Sequence, residues 1–361
     1  MLPTKEECDE LCKTKLYYRR TVYVDGHCVT LYNYSCHRKT PTELRGLSFV
    51  EQPNGEWERN LLLTRFFNIE KEDVLNCKFK SGSVKYDGSV VSFIKFPTGK
   101  IFSKSKGSFN SEQAIMANKI YSDDKNLRKF IDYCYDNDLT PIFELISPEN
   151  KIVVNYPNTE LILIQIRRFT GEYLNKDEIQ EITTRWNVKA TEYLPDDTTL
   201  DEIVKWQKEN KTDIEGWVVT LDDGRMIKVK TNLYSVKHSG VNPVEISHKR
   251  SKKIVDMIID DKIDDYISIL KDSPYKERVK DINNTLVDYI TTYIKAFTDL
   301  FEEYKKEGKR YIVDNYRKHF VFQGLILLKN LDLTEEEIYD IAYDRALFDV
   351  KKKYKVILEN K

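Results

Sequence analysis

No apolar run in this chain approaches the ~18–20 residues that a membrane-spanning helix needs, so the sequence predicts no membrane partner. The opening Met-Leu-Pro-Thr-Lys-Glu-Glu lacks the basic-then-apolar order of a secretion signal, and a cytoplasmic location is expected. Cysteine is sparse: Cys8, Cys12, Cys28, Cys36, Cys77 and Cys134 are spaced irregularly, which excludes a disulfide framework and predicts reduced thiols. Cys8, Cys12, Cys28 and Cys36, with His27 and His37, match no standard zinc-ligand spacing. Excess charge of either sign is missing too, with a formal net charge of -1 from 58 Lys and Arg against 59 Asp and Glu. No global basic field therefore announces a nucleic acid, although a neutral total leaves room for a local basic face. Internal repeats and low-complexity tracts are absent, which excludes solenoids and arrays.

What remains is an ordinary globular composition, 40% hydrophobic and 32% charged, over 361 residues. That length predicts two domains with real cores. Up to about residue 240 the chain reads as short strands and turns with intervening helices. Ser89–Phe96 and Lys100–Phe102, joined by Pro97-Thr98-Gly99, read as a hairpin. Lys151–Tyr156 and Leu161–Arg167 read as strands, and Gly216–Leu221 with Arg225–Lys230 flank an Asp222-Asp223-Gly224 turn. Helices are expected near Ser111–Asn137, Lys176–Trp186 and Leu200–Asn210. Beyond Gly240, Ile282, Leu286, Tyr289, Ile290, Tyr293, Phe297, Leu300 and Phe301 recur at three- and four-residue steps, the period of a long amphipathic helix. Ser273-Pro274 suits its start, and Thr334 with Glu337 reads as a capping box. The expectation is an α+β chain: antiparallel sheets with flanking helices over 1–240, then an all-α region over 241–361.

Lys85-Tyr86-Asp87-Gly88, set between two strand-like runs, is the most informative stretch. Four letters recur by chance, so their company matters. A lysine that attacks phosphorus must be a neutral amine, while a free lysine, with a pKa near ~10.4, is mostly protonated. Neighbouring cations favour loss of that proton, and Gly88 permits a turn presenting the lysine at a strand end. The plain alternative is a surface turn. Lys228 and Lys230 lie two apart on a strand and face one way, which suits a polyphosphate; an exposed solvated strand face is the alternative. Across the Asp222-Asp223-Gly224 turn, Glu215 reaches the same sheet end, where a carboxylate beside phosphate suits a hard divalent cation. Glu144 sits inside the apolar run Ile142-Phe143-Glu144-Leu145-Ile146, so it wants a metal, a ribose hydroxyl or an ion-pair partner.

This order of motifs resembles the covalent nucleotidyltransferase superfamily, and within it the phage RNA ligase 1 family. Glu43-Leu44-Arg45-Gly46-Leu47-Ser48-Phe49 resembles that family's Arg-Gly element, Thr64-Arg65-Phe66-Phe67-Asn68 its Lys-Phe-Phe-Asn element, and Lys104-Ser105-Lys106-Gly107-Ser108 its Lys-Gly-Ser stretch. Together these cover about residues 40–235. The resemblance implies an adenylyltransferase domain over 1–240 with Lys85 as the adenylylated residue and Lys228 and Lys230 as catalytic cations. Arg45, Arg65, Lys104, Lys106, Glu144, Asp87 and Gly88 would bind the nucleotide, and Glu215 and Glu144 a metal. Arg65 departs from the family's lysine, keeping the charge but changing the geometry. ATP and Mg2+ or Mn2+ are the implied cofactors. The implied partner is RNA with 5′-phosphate and 3′-hydroxyl ends, above all tRNA repaired during phage infection, and a monomer is expected. Capping enzymes and most DNA ligases follow the last lysine motif with a β-rich module, where this chain has helices. The helical region would hold structured RNA through Lys249-Arg250, Lys252-Lys253 and Tyr311 through Tyr316-Arg317-Lys318-His319, or simply pack. A DNA ligase, and an RNA-binding or assembly protein with a vestigial adenylylation fold, are the alternatives.

Overall fold

The computed structural model describes residues 2–13, 17–34, 42–69, 74, 76–150, 152–208, 214–239, 251–259, 263, 266–267, 270, 276–328 and 330–359. Two compact units divide the chain: one spans 1–5, 20–33 and 39–241, the other 6–19, 34–38 and 242–361. The architecture is α+β, with antiparallel sheets and a C-terminal helical region.

Three four-stranded sheets dominate the N-terminal part. The first is ordered β1 (Tyr17–Val24), β2 (His27–Tyr34), β3 (Leu47–Glu51), β4 (Trp57–Asn60). The second runs β10 (Glu160–Arg168), β9 (Leu139–Ile146), β7 (Ser89–Lys95), β8 (Ile101–Ser105), antiparallel throughout. The third runs β5 (Phe67–Asn68), β12 (Met226–Lys230), β11 (Gly216–Leu221), β6 (Phe79–Lys85), with only the β5–β12 pair parallel. Lys85-Tyr86-Asp87-Gly88 includes the last residue of β6 and the link to β7, so the nucleophile candidate stands where the third sheet hands the chain to the second.

Helices cover these sheets for local reasons. Ser111 caps α2 (Glu112–Asp123) by accepting from Ala114 N, and Asp124 caps α3 (Lys125–Asp136) by accepting from Asn126 N and Leu127 N. The second cap is why the helical run expected near Ser111–Asn137 is two helices. Leu127, Phe130, Ile131 and Cys134 recur on one face of α3 and pack on Val91, Phe93, Phe143 and Leu163 of the second sheet, each large side chain contributing about 2 kcal/mol by leaving water. Asn175 and Glu178 form a capping box at α4 (Lys176–Trp186). Against the third sheet, Ile203 of α5 (Leu200–Lys208) joins Trp217, Val219, Ile227 and Val229 in a separate cluster. A short α6 (Asn232–Ser239) follows β12.

One expected strand fails to form, and one strand is unexpected. No strand forms over 152–156; the backbone N–H groups of Val153 and Val154 go instead to the Asp87 carboxylate, at 2.7 and 2.6 Å. β9, absent from the sequence reading, is buried at every residue, so it lacks the alternation that announces a half-buried strand.

In the second unit, the helical stretch α8 (Lys276–Tyr316) breaks at Gly308, whose φ of 84° lies outside the helical region. Val279, Ile282, Leu286, Ile290, Tyr293, Phe297, Leu300 and Phe301 are its buried stripe. Along it pack α10 (Glu335–Glu359), through a 2.9 Å hydrogen bond from the Tyr289 hydroxyl to Asp349, and the short α9 (Phe322–Ile326). The Thr334–Glu337 capping box forms at the start of α10. Ser273-Pro274 lies outside the described residues. A further helix, α7 (Ser251–Ile259), belongs to this unit.

Candidate active site

Strand register assembles the site. Gly216 of β11 stands opposite Lys85 of β6 on one side and opposite Lys230 of β12 on the other. Three neighbouring strands therefore end in one row, with Glu215 one residue before it. The Lys85 ammonium donates to Glu215 Oε2 at 2.6 Å, and Lys230 Nζ lies 2.9 Å from Oε1. Glu215 is 4% exposed. Burial alone would raise its carboxyl, but the ammonium groups of Lys85 and Lys230 prevail and hold it below the ordinary carboxylate value. A Cβ at Gly216 would fall 2.1 Å from Val229 O, so this close approach of strands admits only glycine. Lys228 shares the Lys230 face, alternating with buried Ile227 and Val229.

Glu144 enters from the second sheet. It pairs with Val90 across β9–β7, and the Gly88 backbone N–H donates to it. A Cβ at Gly88 would lie 2.3 Å from Leu145 O and 3.0 Å from Glu144 Cγ, which explains the glycine. Burial pushes the Glu144 carboxyl up to about 7; Glu215 adds to that rise, while Lys85 and Arg45 oppose it. Glu144, Glu215, Lys85 and Arg45 thus share one electrostatic neighbourhood.

Asp87 is held by partners within the protein. Its Oδ2 accepts from Val153 N and Val154 N, its Oδ1 accepts from the Tyr234 hydroxyl at 2.6 Å, and its own N–H donates to the Tyr156 hydroxyl at 2.9 Å. Buried and fully engaged, it pins the Lys85 turn to the 153–154 loop and to α6. Lys230 reinforces the same corner, its Nζ 5.1 Å from the centre of the Tyr234 ring.

The remaining cations sit on adjacent segments. Lys104 is fully buried, and its Nζ donates to Gly46 O at 2.7 Å; burial, then the neighbouring Arg45, lowers the amine to about 7. Lys106, two residues on, is exposed. Arg45 reaches Leu63 O at a long 3.4 Å, and the Arg65 guanidinium lies 5.5 Å from the centre of the Phe67 ring. Sequence reasoning missed Arg167 and Tyr173, which organise these segments, and Tyr156 and Tyr234, which hold Asp87. Only Arg167 left a trace, as a charge closing an apolar strand.

Two buried carboxylates facing a cluster of cations suit a metal shared with a nucleotide. Mg2+ keeps several waters and takes one or two carboxylates plus phosphate oxygens, a demand that Glu144 and Glu215 meet. Among the described residues, no group of three or more His, Cys, Asp or Glu side chains forms an all-protein cage.

A family model described as RNA ligase matches residues 43–234, the span that carries every element of this site. The chain belongs to the phage RNA ligase 1 family. A protein of Thermovibrio ammonificans named "Putative RNA ligase" is 23% identical over 277 residues, covering 73% of this chain and 70% of that one. Among solved structures, an archaeal ATP-dependent RNA ligase in its second form matches with a TM-score of 0.50 at 11% identity, over 96% of this chain and 77% of that one. A Naegleria gruberi RNA ligase variant solved with ATP and Mn is also similar, at 19% identity and a TM-score of 0.34, over 46% and 52% of the two chains. Among the described residues, no helix of this family member is long and apolar enough to cross a membrane.

Proposed function

We propose that this RNA ligase family member is ATP-dependent and works through Lys85. The observation that carries the reading is the row Lys85–Glu215–Lys230, in which one buried carboxylate holds two ammonium groups at a sheet end. In the first step the Lys85 amine loses its proton, for which Glu215 Oε2 is the adjacent acceptor. The amine then attacks the α-phosphorus of ATP; the N–P bond forms, the bond to the bridging oxygen breaks, and pyrophosphate leaves. AMP next passes to the 5′-phosphate of an RNA end. A 3′-hydroxyl then attacks that activated phosphate, forming the phosphodiester and freeing AMP. Each step is a phosphoryl transfer, where positioning and charge neutralisation dominate.

Lys230, Lys228, Arg45 and Lys106 supply positive charge for the phosphates, and Arg65 supplies it from the segment before β5. Glu144 and Glu215 would hold a divalent cation, Mg2+ or Mn2+, which when bound neutralises phosphate charge. Residues 1–240 form the adenylyltransferase domain on this reading, and 241–361 recognise RNA, with cleaved tRNA as the substrate and phage infection as the setting. Exposed Arg317 and Lys318, beside exposed Tyr311, offer phosphate and base contacts in that region. Lys249-Arg250 lies outside the described residues.

Incubation with α-labelled ATP and Mg2+ tests the first step. Label should remain on denatured wild-type protein and vanish from Lys85→Ala. An unlabelled wild type would end the proposal. Sealing of nicked DNA in preference to 5′-phosphorylated single-stranded RNA would make the chain a DNA ligase instead.

A further inference from the structure

Arg167 is the largest fully buried side chain in the described structure, and all its donors are used. Nη1 donates to Glu43 Oε2 at 3.0 Å and to Leu62 O at 2.7 Å; Nη2 donates to Glu43 Oε1 at 3.1 Å and to Gly171 O at 2.7 Å; Nε donates to Gly171 O at 3.0 Å. Its guanidinium carbon lies 4.5 Å from the centre of the Tyr173 ring. The Tyr173 hydroxyl in turn accepts from Thr64 N at 3.0 Å and lies 3.0 Å from Thr64 Oγ1. These contacts converge on two segments. Glu43 is two residues before Arg45, and Leu62 to Thr64 run directly into Arg65. Arg45 itself leans on Leu63 O, so the segment that Arg167 grips through Leu62 is the one that supports Arg45.

We infer that Arg167 is a positioning residue for nucleotide binding: its bidentate clasp on Glu43, with the hold on Leu62 O and the Tyr173–Thr64 link, fixes Arg45 and Arg65 relative to each other as an anion cradle. This rests on the ligase reading above for the identity of the anion. A guanidinium matches a carboxylate and two carbonyls in one plane, which an ammonium group cannot do. Two long, flexible cations bind a polyphosphate well only when their backbones are held in place beforehand.

Removing Arg167 outright would take its donors from the half-buried Glu43 carboxylate and from two carbonyls, and the fold itself could fail. The test therefore uses Arg167→Lys and Glu43→Gln in the full chain, with melting temperature followed alongside calorimetric ATP binding and labelled-AMP capture. The expected result is an ATP affinity about tenfold weaker, with the rate of AMP capture at saturating ATP within about threefold of wild type. Arg167→Lys in an Arg45→Ala background should add less than about threefold, because the side chain it positions is already gone. Fully additive losses, unchanged affinity, or a loss that merely tracks the melting temperature would overturn the inference, as would a wild type that binds no ATP. A wild type that binds ATP yet captures no AMP would sink the ligase reading, while the same cycle of variants still decides the role of Arg167.

Discussion

Glu144 and Glu215 are both buried carboxyls in one site, yet their environments push them apart. Glu215 has two ammonium partners within hydrogen-bond reach, whereas for Glu144 burial outweighs the opposing Lys85, and Glu215 adds to the rise. In the metal-free chain the folded state holds the Glu144 proton up to about 7, against an ordinary value of 4.5. Between those values the folded chain binds more protons than the unfolded one, so this group's contribution is fully present below about 4.5 and is lost as pH rises through about 7. Glu144→Gln should thus stabilise the chain in EDTA at pH 8, by up to about 3 kcal/mol, and leave it near wild type at pH 4.5. Urea midpoints across that range check this, and equal midpoints at pH 8 would show that folding does not raise the Glu144 carboxyl. Glu215→Gln removes the charge shared by Lys85 and Lys230 and should slow AMP capture by at least about 100-fold. Quenched labelling time courses read that rate directly, and a loss under tenfold would deny Glu215 its place beside the nucleophile.

Among the elements, β11 and β12 approach each other closely at Gly216. Gly216→Ala would drive a methyl group to 2.1 Å from Val229 O and 2.7 Å from Lys230 Cα. The strands must part, at a cost of about 2 kcal/mol or more, and AMP capture should fall with them. Gly107→Ala, whose added Cβ meets nothing nearer than Asn33 Nδ2 at 3.8 Å, should leave the melting temperature within a degree or two of wild type. The contrast shows why some of this protein was legible beforehand. Lys176–Trp186 carries its own periodicity, Leu161–Arg167 opens on an uninterrupted apolar run, and the Asp222-Asp223-Gly224 turn fixes the register that brings Glu215 to the lysines. β9 offered no alternation to detect, because both its faces are buried. The 152–156 stretch looked like a strand because its β-branched residues suit one, but its N–H groups go to a carboxylate more than sixty positions away. Tyr156, Tyr234 and Arg167 act through partners that only the tertiary fold supplies, so no local pattern marks them, and the motif that marks Asp87 does not name its partners.

For the molecule as a whole, the two units are not consecutive in sequence. Residues 6–19 and 34–38 group with 242–361, and within that unit Tyr18 stacks on Tyr339 with ring centres 5.1 Å apart while Arg19 lies 3.5 Å from Glu335. A chain ended after Val241 would therefore strand an N-terminal segment whose partners have gone. On the function proposed above, it should retain AMP capture within about tenfold, since the Lys85 row lies in 39–241, yet melt lower and lose ligation of cleaved tRNA. Labelling, melting and ligation assays on that truncation separate the three effects. Undiminished tRNA sealing would assign RNA recognition to the first unit alone.

The single carboxylate shared by Lys85 and Lys230 also bears on unwanted chemistry. An amine held in a short ion pair on a buried carboxylate resists acylation by any passing electrophile, whereas Lys306, though paired with Glu307 at 3.0 Å, leaves 81% of its side chain exposed against 23% for Lys85. If Lys85 is the nucleophile proposed above, the resting amine is thereby kept from premature modification until a polyanion arrives to compete with Glu215 for the two ammonium groups.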